Sequence, residues 1–317
     1  MQVHGIHHVT AVTSDVKRNH AFYTQVLGLR LVKKSVNQDD VSAYHLFYAD
    51  NVGTPGTDMT FFDWPTIGAD HRGTDSIVNT LFRVNGREAL AYWLARFDEQ
   101  GVHHEGLAEA AGRASLRFQD PEGQRLTLVD DQNAPFAGEA WADAAIPPAY
   151  ALRGFHGIML SVPQLARFDP ILTRLMGFTQ TGAYPNPANP QATILIYSMD
   201  GGGAGKEVHL LEEPQQPGAQ LGRGGVHHVA FRLRTDAEQQ EWLQFLDQIG
   251  VPNSGLVDRY YFRSLYFRVT PGILFELATD EPGFTVDEPL ESLGQQLALP
   301  PFLESRRRQI EAGLKPL

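Results

Sequence analysis

A strand near the start of the chain reads "GIHHVTAV" (Gly5 to Val12), and more than two hundred residues later another reads "GVHHVAFR" (Gly225 to Arg232). One histidine pair constrains little. The same Gly-aliphatic-His-His-Val opening, met twice, requires either a duplicated building block or two ligand-bearing strands brought together by folding. Read for repeats, the chain divides into four copies of one pattern: a strand, a helix and a cluster of strands. The first copy runs from Gly5–Val12 into a helix over about Asp15–Leu27, opened by Asp15 and stopped by Gly28. The strand-like runs "LRLVKKSV", "SAYHLFYAD" and "DMTFFDW" follow. The second copy has "SIVNTLFRV", a helix from about Arg87 to Gln100, "ASLRFQD" and, after the turn "PEG", "QRLTLVD". The third has "GFHGIMLSV", a helix near Leu165–Met176, "TILIYSM" and "KEVHLLEE". The fourth has "GVHHVAFRL", a helix near Asp236–Ile249, "YFRSLYFRV" and "GILFELATD".

Each copy is about βαβββ. The expected class is therefore α+β, with four βαβββ modules in two domains. Curved mixed sheets form the cups, and the helices lie outside. The segment Asp131–Arg153, with Pro147-Pro148 and few periodic apolar positions, reads as the connection between halves. That places an N-terminal pair of modules over 1–135, a C-terminal pair over 150–282, and a tail over 283–317 that is helical after Pro301. A chain of 317 residues is long enough for two such cores. Two modules side by side close a cup, which is where a ligand would sit.

Strand side chains alternate between faces, so parity separates adjacent histidines. In "GVHHVAFRL", His227, Val229, Phe231 and Leu233 share the face that packs under the helix, leaving His228, Ala230 and Arg232 for the cup. The same parity sends His8 and Thr10 into the cup and turns His7, Val9 and Ala11 toward the helix. In "GILFELATD", Ile273, Phe275 and Leu277 form the core face and Glu276 points the other way. A carboxylate on so apolar a strand is costly to bury unless paired or metal-bound. The chain has no cysteine, so a metal must take imidazole or oxygen ligands. His8, His228 and Glu276 fit a facial triad of two histidines and one carboxylate, which holds Fe(II) and leaves positions for substrate and O₂. Mn(II) is the alternative ion. The second module has no histidine in its first strand. The third has His156 there, and His209 near where the fourth has its acid; one mononuclear site is expected.

The formal net charge of −11 argues against a nucleic-acid surface, and the one dense basic run is Arg306-Arg307-Arg308. There is no apolar run of membrane-spanning length and no basic-then-apolar leader before the first strand, so a cytoplasmic enzyme without membrane partners is expected.

Tandem βαβββ modules with a histidine in the first strand and a glutamate in the last resemble the vicinal oxygen chelate superfamily, the fold of glyoxalases and extradiol dioxygenases. Three stretches, "GIHHVTAV", "LVKKSVNQDDVSAYHLFYADNVGTPGTDMTFF" and "LPPFLESRRRQIEAGL", resemble ring-cleaving dioxygenases of the hydroquinone 1,2-dioxygenase type. The likeness covers essentially the whole chain. It implies Fe(II)-dependent, O₂-consuming cleavage of a small aromatic ring bearing hydroxyls, by an enzyme expected to be a homo-oligomer. Carried over by position, it implies His8, His228 and Glu276 as metal ligands, Tyr266 and Arg259 near the substrate, and His7, His227 and Thr10 close to the site. Two of these, His7 and His227, conflict with the parity reading. Extradiol catechol enzymes of the superfamily draw both histidines from the last two modules, which would put His156 in the place of His8. Hydroquinone and catechol both remain open as substrates. A glyoxalase-like lyase or isomerase and a non-catalytic aromatic-binding protein are the competing functions. The former usually has more than one carboxylate in its site, and no second glutamate is evident in the cup strands of the first module.

Overall fold

The computed structural model describes all 317 residues. The first module comprises β1 (Ile6–Thr13), α1 (Val16–Ala21, continued by a π-helical turn over Phe22–Val26), β2 (Arg30–Asn37), β3 (Asp40–Ala49) and β4 (Asp58–Asp63). The second comprises β5 (Ser76–Val84), α2 (Gly86–Gln100), β6 (His104–Ala110), β7 (Arg113–Gln119) and β8 (Arg125–Asp130). The third has β9 (Phe155–Val162), α3 (Leu165–Pro170, with a π-helical turn over Ile171–Leu175), β10 (Thr179–Asn186), β11 (Asn189–Ser198) and β12 (Glu207–Glu212). The fourth has β13 (Val226–Leu233), α4 (Asp236–Gln248), β14 (Asn253–Asp258), β15 (Arg263–Arg268) and β16 (Leu274–Thr279). Helix starts follow their side chains: the Asp15 carboxylate accepts from the Arg18 amide at 3.1 Å, and the Thr235 hydroxyl from Glu238 at 3.2 Å. Gly28, at φ 71°, ends the first helical stretch in the left-handed region.

Three strands carry no clear signal in the sequence: β6, β10 and β14. Each is the outermost strand at an edge of its sheet, and β6 is largely exposed. With solvent over much of the strand, nothing selects an alternating apolar pattern. The fourth edge strand, β2, is legible because the tail covers it. The Ala298 amide donates to the Lys34 carbonyl at 2.9 Å, and Leu299, Leu303 and Ile310 cluster with Val36. The tail is two short helices, α5 (Pro301–Glu304) and α6 (Arg307–Gly313), rather than one. Within its basic run, Arg307 pairs with Glu304 and Glu311.

The sheets do not follow the sequence halves. One eight-stranded sheet runs β14-β15-β16-β13-β1-β4-β3-β2 and the other β10-β11-β12-β9-β5-β8-β7-β6. Modules one and four share the first sheet, and modules two and three the second. Neither 1–135 nor 150–282 closes a sheet alone, because the first strand of each module bonds antiparallel to a first strand from the other half: β1 to β13, and β5 to β9. The helix-facing sides of both sheets contribute to one cluster of 50 buried residues, from Val9 and Phe231 to Phe82, Phe155 and Trp93. That single core locks the interleaved halves into one body. No helix is long and apolar enough to cross a membrane.

Candidate active site in the first cup

Parity sorts most side chains correctly. Val9, Val229, Phe231, Leu233, Phe275 and Leu277 join the common core, while Ala230 and Ala278 belong to a smaller apolar cluster inside the cup. His8, His228 and Glu276 converge there from three adjacent strands. Their Nε2 atoms lie 3.1 and 2.9 Å from one Glu276 carboxylate oxygen, Oε2. Neither nitrogen is aligned as a hydrogen bond to it, so Oε2 has no hydrogen-bond partner. The other oxygen, Oε1, accepts from the Ser264 hydroxyl at 2.5 Å, which fixes the carboxylate's rotation. All three residues are buried, Glu276 completely. Burial alone would raise the Glu276 pKa, but the flanking His8 and His228 outweigh it and hold the carboxyl well below its usual range. His228 is lowered, chiefly by burial, with Glu276 opposing.

The expectation that His7 and His227 face the helices is corrected by two β-bulges. The β1–β13 register passes from Ile6 opposite Phe231 to His8 opposite Ala230, so His7 is an extra residue. It passes from His228 opposite Thr10 to Val226 opposite Ala11, so His227 is another. An extra residue puts two consecutive side chains on the same face. Each extra histidine therefore sits beside its neighbour in the cup: His7 Nδ1 is 2.9 Å from His8 Nδ1, and His227 Nδ1 is 2.7 Å from His228 Nδ1. Burial, then the neighbouring histidine, lowers both His7 and His227 to about 3, so both stay neutral near pH 7. A neutral Nδ1 can accept the Nδ1 proton of its neighbour. That would leave the Nε2 lone pairs of His8 and His228 facing Glu276.

Beside the triad lies a small cavity, walled by Phe47, Phe62, Tyr261 and Phe262 and bordered by His45, Arg259 and Tyr266. Phe62 faces the cavity and Phe61 the core. The Tyr266 ring is 5.8 Å from that of His228. Arg259, in the turn between β14 and β15, donates from Nε to Tyr266 Oη at 3.2 Å and from Nη2 to Asp39 at 2.9 Å. Burial, then Glu276, raises the Tyr266 pKa against the pull of Arg259, which keeps the phenol protonated. The Thr10 side chain is fully buried and bonds Thr60 at 2.8 Å; Thr60 in turn bonds His45 Nε2 at 3.0 Å. Thr10 thus reaches the cavity only through His45. The sequence reading passed over His45, although parity in "SAYHLFYAD" offers the signal. Tyr44, Leu46 and Tyr48 are core, which leaves His45 and Phe47 for the cup.

His156 lies in the other sheet, so it cannot share a cup with His228 and Glu276. It also occupies the bulge position, the counterpart of His7. The counterpart of His8 is Gly157, where a side-chain carbon would lie 2.5 Å from the Glu207 carbonyl oxygen.

Asp58, beside His8 on β4, is buried, and neither of its carboxylate oxygens has a partner. Burial raises its pKa to about 7, with His8 opposing. A folded pKa above the unfolded one means that the native state binds more protons between about pH 4 and pH 7, so this group lowers stability as pH rises through that window. Asp58→Asn is expected to stabilise the metal-free protein against urea at pH 8, by up to about 4 kcal/mol, and to change its stability little at pH 4. An equal change at both pH values would contradict the assignment.

The family model described as "Glyoxalase/Bleomycin resistance protein/Dioxygenase superfamily" matches residues 5–128 and 154–287. The chain is 50% identical over 317 residues to the protein named "Putative ring-cleaving dioxygenase MhqA" of Bacillus subtilis (strain 168), covering 100% of each. It is 29% identical over 316 residues to "Chlorohydroquinone/hydroquinone 1,2-dioxygenase" of Sphingobium indicum, covering 98% of this chain and 95% of the other. A crystal structure titled as a putative dioxygenase from Bacillus subtilis superposes with a TM-score of 0.91 at 34% identity, covering 100% of this chain and 98% of that one. Glyoxalase I from Zea mays, at 14% identity, shares the fold with a TM-score of 0.64 over 87% of this chain and 92% of its own.

Proposed function

This chain belongs to the Glyoxalase/Bleomycin resistance protein/Dioxygenase superfamily, and from that premise we propose that it is an Fe(II)-dependent dioxygenase that opens a dihydroxylated aromatic ring. The observation that carries the reading is the convergence of two imidazole Nε2 atoms, 2.9 and 3.1 Å away, on one carboxylate oxygen that takes no hydrogen bond. His8, His228 and Glu276 fit a ferrous ion as its protein ligands, with the proton of each ligand imidazole directed at His7 or His227. When bound, Fe(II) supplies a centre at which a phenolate and O₂ can meet and exchange electrons. Two neutral ligands and one anion leave the site with a single net positive charge, which favours an anionic phenolate.

The remaining roles belong to the cavity walls. Phe47, Phe62 and Phe262 offer apolar surface to an aromatic ring. Because Tyr266 Oη accepts from Arg259, its own proton is free to donate to a ring oxygen. Arg259 acts through Tyr266 as a positioning residue, and its pair with the exposed Asp39 lies at the rim. A hydroquinone is the favoured substrate, in line with the name of the Sphingobium relative. The lyase alternative has less support, since the convergent donors include one carboxylate.

The test is anaerobic reconstitution with Fe(II), followed by oxygen-electrode assays on a set of hydroquinones and catechols. Oxygen uptake matched by loss of aromatic absorbance is expected with at least one hydroquinone. No uptake by the iron-loaded protein with either class would overturn the reading, and uptake with catechols alone would overturn the choice of substrate.

A further inference from the structure

The second cup does not repeat the first. Where His8, His228 and Glu276 stand in the first sheet, the register of the second places Gly157, Asn79 and Thr127, and Asn79 Nδ2 donates to Thr127 Oγ1 at 2.8 Å. That triad is gone. One strand further over, a different donor set assembles. His156, on the bulge of β9, directs Nε2 to Oε2 of Glu207 on β12 at 3.2 Å, and His209, also on β12, directs Nε2 to the same oxygen at 3.0 Å. The three donor atoms lie within 4.8 Å of one another and all three residues are buried. The Tyr184 hydroxyl sits 2.8 Å from His209 Nδ1, where it can accept the proton that a metal on Nε2 would leave there. His156 Nδ1 is buried with no partner, so nothing in the fold holds a proton away from that atom when Nε2 takes a metal.

We propose that His156, Glu207 and His209 form a second divalent transition-metal site in the other cup, of the class that takes Zn(II), Co(II) or Fe(II). Two imidazoles and a carboxylate are the ligand types those ions accept. The site is weaker than the first for a reason that lies beside it. Arg113 donates to Glu207 Oε1 at 3.0 Å and to Oε2 at 3.3 Å, so a guanidinium already partly neutralises the one anionic ligand. In the first cup the carboxylate's other oxygen meets only a neutral serine. Arg113 is thus a built-in competitor, and the second site should tighten when its charge is removed. The inference does not depend on the reaction proposed for the first cup.

The experiment is a Co(II) titration of the metal-stripped full-length protein, read by visible ligand-field absorption and by metal counting after equilibrium dialysis. Wild type should take up two equivalents per chain, the second more weakly. Glu276→Gln should retain one, and Glu276→Gln with His209→Ala should retain none. Arg113→Gln in the Glu276→Gln background should bind that remaining equivalent at least about tenfold tighter. His156→Ala serves as a second deletion, and a wild-type-like cooperative melt by circular dichroism certifies each variant. A folded Glu276→Gln protein that binds no Co(II), or binding that survives loss of both His156 and His209, overturns the proposal. So does an Arg113→Gln variant with unchanged affinity.

Discussion

Replacing Glu276 with glutamine is expected to strip the first cup of its metal and to lower ring-opening turnover by at least about 10³-fold, or about 4 kcal/mol of transition-state stabilisation. Glutamine has nearly the same shape, and its amide oxygen can still accept from the Ser264 hydroxyl, so the cup wall should keep its packing. What disappears is the only anionic ligand at a completely buried position. Two neutral imidazoles would then have to hold a dication away from water with no compensating charge, which the interior strongly disfavours. With its oxygen held by Ser264, the amide would also turn its NH₂ toward the two Nε2 atoms, putting donors where the metal needs an anionic oxygen. Iron content after dialysis and oxygen uptake are the measurements. A Glu276→Gln protein that keeps stoichiometric iron at this site and full activity would remove the basis for the proposed function.

Lys33→Met is expected to destabilise the folded chain by about 3 kcal/mol at neutral pH, the scale seen when one partner of a buried ion pair is deleted. Lys33 is completely buried on β2, and its ammonium contacts Asp287 at 2.7 Å and also Glu288. It lies 4.7 Å from the centre of the Tyr261 ring, whose hydroxyl donates to Asp287 at 2.9 Å. One cation therefore ties the segment after β16 to a wall of the cavity beside the triad. Methionine keeps the length and apolar stem but leaves two neighbouring carboxylates, each largely shielded from water, without a counter-charge. The deficit should shrink in urea unfolding when Asp287→Asn and Glu288→Gln are added, since the stranded charges are then gone. A deficit unchanged by those added substitutions would mean that packing, not charge, holds the tail.

Much of this was legible before the structure. His228 and Glu276 could be placed because their strands are apolar at every other position, so the odd polar residue declares its face. The method failed at His7 and His227 because one extra residue in a strand reverses the count, and a bulge depends on how the partner strand pairs. It failed at β6, β10 and β14 because an edge strand has little core to match. Glu207 went unread as a donor because its approach to His156 depends on β12 pairing beside β9.

By itself the sequence determined the four modules, their helices and the residue types able to bind a metal, since these rest on local periodicity and on the chemistry of single side chains. The triad reading joined the first and fourth modules, and only the tertiary structure decided between that pairing and the one that would make His156 a ligand. Pairing β1 with β13 joins residues more than two hundred positions apart, and backbone hydrogen bonds that link strands carry no side-chain signature by which the chain could announce the partner.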